Sequence, residues 1–135
     1  MKTLLSPNFS IEEFEQSDTA KRLGITNRAP EGARLCLAAL CQNVLQPLRD
    51  AYGKRLFVSS GFRCETLNNA VGGVPNSQHL KGEAADIAHP NPQHLLDILL
   101  RLNIPFDQAI LYPKRFFIHL SYKKNGHNRK EILHM

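Results

Sequence analysis

His79 and Asp86 stand seven positions apart in the stretch Ser77-Gln78-His79-Leu80-Lys81-Gly82-Glu83-Ala84-Ala85-Asp86. An imidazole nitrogen and a carboxylate oxygen are the hard-to-borderline donors that a divalent ion such as zinc accepts. Seven positions exceed the three or four that share a helix face, and they exceed the reach of neighbours on one strand. The spacing, with Gly82 between, suits a loop that delivers His79 and then turns into a strand delivering Asp86. Asp86 lies inside the apolar run Ala84–Ala88, where a carboxylate withdrawn from water needs a partner to offset its desolvation. A cation is one such partner. A turn cap or a set of backbone amides is the other.

A third donor is available in Phe116-Phe117-Ile118-His119-Leu120-Ser121-Tyr122, the clearest strand pattern in the chain. Period two places Phe117, His119 and Ser121 on one face and Phe116, Ile118, Leu120 and Tyr122 on the other. If this strand and one over Phe106–Leu111 pair beside Glu83–Ala88, His119 meets Asp86 across the sheet and His79 closes the set. Two imidazoles and one carboxylate form a three-ligand zinc site whose fourth position is open to water, and bound water there has a pKa near about 7. On spacing alone, a core histidine bonded to a backbone carbonyl accounts for His119 equally well. Arg63 follows Ser60-Gly61 at a strand end, where its planar fork suits a carboxylate, and a surface salt bridge is the ordinary use of such a residue. His89 and His94 flank a turn and a helix start, and His127 and His134 fall in a polar tail; we place all four outside the metal set.

The elements that must position these residues are legible from pattern. In the first 29 residues, Ser10 with Glu13 forms a capping box, Phe9 and Phe14 suit its hydrophobic staple, and a short helix from Thr19 stops at Gly24. Pro30 opens a long helical pattern to Tyr52, with a kink or break predicted near Asn43 to Gln46 because of Pro47. A strand over Leu56–Ser59, a helix over Cys64–Val71 and a helix opened by Asn91-Pro92 and running to Leu102 follow. A short helix is expected to end the chain. The class is α+β, with helices mainly N-terminal and a small antiparallel sheet of three to four strands, in one domain over 1–135 on which the 1–29 lead-in packs.

With 135 residues, 42% hydrophobic and 21% charged, the chain supports one sizeable core. The formal charge of +5 and a sequence pI of about 9.3 favour approach to polyanions without choosing among them. The dense basic patches, Lys114-Arg115, Lys123-Lys124 and Arg129-Lys130, suit solvated loops, and we expect no nucleic-acid partner. Cys36, Cys41 and Cys64 form no CxxC pair and require neither a disulfide nor a thiolate metal site. No run is long enough for stable membrane insertion. Met1–Pro7 holds only two consecutive leucines, too few for a secretory signal, so synthesis is expected to be cytoplasmic. No pattern sets an oligomeric state.

Ser59-Ser60-Gly61-Phe62-Arg63, Leu67-Asn68, Val71-Gly72-Gly73, Ser77 through Asp86 and Phe117-Ile118-His119 resemble the zinc D-Ala-D-Ala carboxypeptidase family. Relatives in that family include vancomycin-resistance D,D-dipeptidases and phage endolysins. Its signature Ser-x-His-x-x-Gly-x-Ala-x-Asp is matched at Ser77, His79, Gly82, Ala84 and Asp86. The resemblance covers most of the chain, is closest to the short phage and bacterial members, and implies a LAS-type, hedgehog-like zinc peptidase fold. It implies that His79, Asp86 and His119 bind Zn2+, that Arg63 is catalytic and grips or polarises substrate, and that Ser77 supports the site through a hydrogen bond to substrate or ligand. The implied reaction is hydrolysis of a peptide bond in peptidoglycan stem peptides, by a protein that reaches the wall on release, as from a phage or prophage.

One position departs from the family. Many members carry a carboxylate three residues before the last histidine as general base, and here that residue is Phe116, with no carboxylate in Tyr112–Arg115. Strand alternation turns Glu83 away from Asp86, and Asp107 begins the neighbouring strand at a distance. No general base is identified. Since general acid–base help is worth roughly 10²- to 10⁴-fold, the alternative is a catalytically weak or inactive zinc-containing module that binds wall peptides.

Overall fold

The computed structural model describes residues 2–135. Its N-terminal lead-in is a small ribbon, β1 (Leu4–Ser6) with β2 (Phe9–Ser10), running into α1 (Ile11–Glu15). The carboxylate of Glu13 accepts from the Ser10 backbone N–H at 3.1 Å, its half of the capping box, and also from the Ser10 hydroxyl at 3.3 Å. Phe9 and Phe14 bury against each other with ring centroids 6.2 Å apart. Helix α2 (Asp18–Leu23) ends at Gly24, whose φ of 69° is the left-handed cap that glycine supplies without strain. Asn27 fastens this lead-in to the site: its amide donates to the carbonyls of Glu15 and Phe62, and its oxygen accepts from the Cys64 N–H at 2.8 Å.

The long helical segment is α3 (Glu31–Leu40), a π-helical turn over Cys41–Leu45, and α4 (Gln46–Tyr52). The predicted irregularity before Pro47 therefore takes the form of one wide turn, in which the Gln46 N–H reaches the Cys41 carbonyl. That widening absorbs the missing donor and the ring of Pro47 while Leu40, Cys41, Val44, Leu45 and Leu48 stay fully buried on one side. Helix α5 (Glu65–Ala70) ends ahead of Gly72, and α6 (Pro92–Arg101) crosses from the middle of the sheet to the next strand.

Five strands form the sheet in the order β3 (Phe57–Ser60), β4 (Ala84–Ala88), β6 (Phe117–Ser121), β5 (Gln108–Tyr112), β7 (Glu131–His134). The first three neighbour pairs are antiparallel, and β7 joins β5 in parallel. The α+β class holds. The sheet is one strand wider than expected, because residues 131–134 extend along the β5 edge where a short helix was predicted. The Glu131 N–H donates to the Asp107 carbonyl at 3.0 Å, and Ile132 packs on the core. Alternation along β4, β5 and β6 sends Ala85, Ile87, Ala109, Leu111, Ile118 and Leu120 into the core beneath the helices. Asp86, Ile110, Tyr112, Phe117 and His119 take the opposite face. Among the described residues no helix is long and apolar enough to cross a membrane.

Gly82 is the pivot between the turn carrying His79 and strand β4. Its φ is +75°, and a Cβ there would lie 2.3 Å from the Ala33 carbonyl oxygen, a backbone atom of α3. Gly82→Ala is expected to destabilise the fold by about 1–3 kcal/mol from backbone strain alone, with the clash added. Urea unfolding measures it, and an unchanged midpoint would show that the pivot tolerates a side chain.

Candidate metal centre

His79 sits on a 3₁₀ turn over Gln78–Lys81, started by Ser77, whose hydroxyl accepts from the His79 N–H at 3.2 Å. Asp86 and His119 are directly opposed in the β4–β6 register, so the sheet itself sets their approach. Nε2 of His79 lies 3.3 Å from Oδ1 of Asp86, and Nδ1 of His119 lies 3.0 Å from the same oxygen. The two rings meet edge-on with centroids 5.1 Å apart. One ligand atom from each of the three residues falls within 4.8 Å of the others.

The remaining ring nitrogens decide where the hydrogens are. His79 Nδ1 is 2.7 Å from the Gly61 carbonyl oxygen, which only accepts, so the ring hydrogen of neutral His79 sits there. His119 Nε2 is 3.1 Å from Oε1 of Gln78, again an acceptor. Neutral His79 and His119 therefore turn lone pairs, from Nε2 and Nδ1 respectively, toward an oxygen of Asp86 that carries none of the hydrogens. Three acceptors converging in this way require a cation, either a proton on an imidazole or a metal ion. Burial pushes the Asp86 carboxyl up, but where that cation is a proton on the imidazoles, the hydrogen bonds and charges of His119 and His79 outweigh burial and hold the group well below the usual carboxylate range. The donor set of two nitrogens and one oxygen, each second nitrogen anchored, fits zinc.

The site opens onto a cleft of about 770 Å³ that Ser77, Arg63 and the three candidate ligands line. Arg63 donates from Nε to Ser60 Oγ at 3.3 Å and from Nη1 to Asn68 Oδ1 at 3.0 Å. Asn68 is itself fixed by donating to the Val74 carbonyl, and Gly73 leaves the room this pair needs, since a Cβ there would stand 2.0 Å from Asn68 Oδ1. Among the described residues Nη2 has no protein partner, which leaves one edge of the fork for a ligand. Burial lowers the Arg63 pKa from its ordinary value and the nearby Asp86 opposes the shift.

Glu83 does not line the cleft; its charge is felt by Cys36 on α3, on the helical side of the sheet. Asp107 is fully buried and bound by Arg129 and Gln78, so it is not free to move a proton at the site. The position three before His119 holds Phe116, a residue with φ 58° that is 59% exposed and lines the cleft. Besides Asp86, the carboxylate lining the cleft is Asp18, in the first turn of α2. Tyr112 lines it too, stacked on Phe117 at 4.4 Å. Sequence reasoning missed Asp18, Tyr112, Gln78 and the Gly61 carbonyl. Gln78 alone had a signal, its place beside His79. His89 pairs instead with Tyr52, at 2.9 Å, and His127 and His134 are exposed.

A family model described as Peptidase M15 matches residues 7–121. Over 44 residues the chain is 50% identical to the zinc D-Ala-D-Ala carboxypeptidase of Streptomyces albus G. That stretch is 32% of this chain and 17% of the relative, so the match spans less than a fifth of the curated protein.

Proposed function

Since the chain belongs to the peptidase M15 family, we propose that it is a zinc-dependent peptidase hydrolysing peptide bonds in bacterial peptidoglycan stems, with D-Ala-D-Ala termini as the first substrate class to test. The observation that carries this is the convergence of three hydrogen-free acceptors, His79 Nε2, Asp86 Oδ1 and His119 Nδ1, at the floor of a cleft that Arg63 also lines. Bound zinc would lower the pKa of a water toward about 7 and polarise a carbonyl. His79, Asp86 and His119 hold the ion. Arg63, clamped by Ser60 and Asn68, offers its free edge to the oxygen that gains negative charge at the scissile carbonyl or to a terminal carboxylate. Ser77 acts on the site through the turn that carries His79. The positive net charge assists approach to anionic wall polymers.

Purified protein incubated with muropeptides is expected to release D-Ala or a stem fragment, to stop on chelation and to recover with zinc. Zinc-saturated protein that yields no product from any muropeptide between about pH 6 and 9 would defeat the proposal.

A specific observation favours a second reading. Phe116, not a carboxylate, stands three residues before His119, and besides Asp86 the one carboxylate among the described residues lining the cleft is Asp18, on the lead-in. A module that holds zinc and binds stem peptides without cutting them needs no base. Wall pull-down that persists in His79→Ala, with no hydrolysis by wild type, would select it.

A further inference from the structure

Gln78 has two ends, and which end faces His119 sets the hydrogen on the imidazole. Its Nε2 donates to Oδ2 of Asp107 at 3.1 Å. Asp107 is 0% exposed and also accepts from Arg129, at 3.0 Å from Nε, 2.8 Å from Nη2 and 3.2 Å from the backbone N–H. The hydrogen bonds from Arg129 hold the Asp107 carboxyl at about 2, so it accepts and never donates. Gln78 must then turn its nitrogen to Asp107 and its oxygen to His119 Nε2. His119 keeps its hydrogen on Nε2 and leaves Nδ1 bare beside Asp86.

The outer end of this chain lies beyond the stretch matched by the family model, which stops at residue 121. Arg129 is held by the tail around it: the Lys130 N–H donates to the Phe106 carbonyl at 3.0 Å, and strand β7 pairs with β5 immediately after. We propose that Arg129, Asp107 and Gln78 form a positioning relay that fixes the Nε2–H form of His119 and presents Nδ1 to the metal, making the C-terminal tail part of the metal centre. The proposal rests on the zinc reading above for its affinity readout only. The form of the imidazole can be read in the metal-free protein.

Four proteins test it: wild type, Asp107→Asn, Asp107→Asn combined with Gln78→Glu, and Arg129→Ala. The readouts are zinc affinity by chelator competition and the His119 tautomer from ¹⁵N shifts of metal-free protein near pH 8. In Asp107→Asn an amide N–H₂ faces Gln78 and turns it over, the hydrogen of His119 moves to Nδ1, and zinc affinity falls about 10- to 100-fold. The added Gln78→Glu supplies a carboxylate that accepts from both sides, so the tautomer returns and most of the affinity with it. A merely structural role predicts no such rescue. Arg129→Ala shifts both readouts in the direction of Asp107→Asn, and wild-type values there remove the tail from the relay.

Unchanged tautomer and affinity in Asp107→Asn, or a folded double variant that stays impaired, overturns the proposal. Should Asp107→Asn not fold, Gln78→Leu at a half-buried turn position removes the same acceptor, and wild-type zinc affinity in it overturns the relay equally. If wild type itself binds no zinc, the peptidase reading fails while the tautomer comparison still decides the relay.

Discussion

Asp86→Ala is expected to remove both zinc and activity, with bound metal falling from about one ion per chain to none and muropeptide cleavage falling to background. Asp86 is the only anion among the three candidate ligands, and both imidazoles point at one of its oxygens, at 3.3 and 3.0 Å. Without it, two neutral nitrogens remain to hold a doubly charged ion in a partly buried site. Asp86→Asn is the sharper variant, because it keeps the shape of the side chain while removing the charge. Strand β4 is paired on both sides by backbone bonds, so the sheet should persist in either protein. Metal analysis, cleavage assays and circular dichroism separate loss of the site from loss of the fold. Full zinc occupancy in folded Asp86→Ala would mean that the ion is held elsewhere.

Arg63→Ala is expected to leave zinc content unchanged and to lower kcat by about 10²- to 10³-fold, the scale of losing one donor to a developing oxyanion. Its guanidinium is aimed by two bonds, to Ser60 and Asn68, and among the described residues its other edge has no partner. Arg63→Lys keeps the charge but has no planar fork to satisfy both anchors and a substrate together, so it should recover only a small part of the loss. Turnover at the wild-type rate by zinc-loaded Arg63→Ala would take this residue out of the chemistry. A change confined to KM would assign it to binding alone.

Much of the site was legible because strand alternation and pairing act on side chains directly. Once Ala84–Ala88 and Phe117–Ser121 are neighbours, the register Asp86 opposite His119 follows from the pleat, and the glycine at position 82 brings the preceding turn back over them. The parts that were not legible depend on contacts distant in sequence. The tetrad Glu131–His134 is too short to distinguish helix from strand by pattern, and it is the exposed edge of β5 that makes it a strand. Pro47 locates a break, but the choice of a π-helical turn over a kink comes from keeping Val44 and Leu45 in the core. Asp107, readable as a distant carboxylate, takes its role from Arg129, 22 positions away, and from Gln78, 29 positions away. Asp18 reaches the cleft because the lead-in is tied to the segment after β3, through Asn27 and through the Phe62 N–H bonded to the Phe14 carbonyl.

The three-residue metal site is the claim on which the rest stands, and anomalous scattering at the zinc edge from crystals grown with zinc tests it most directly. The predicted result is a single strong peak bonded to His79 Nε2, an Asp86 carboxylate oxygen and His119 Nδ1, each at about 2.0–2.2 Å. A peak elsewhere, or no peak in crystals of folded protein soaked to saturation, would contradict it.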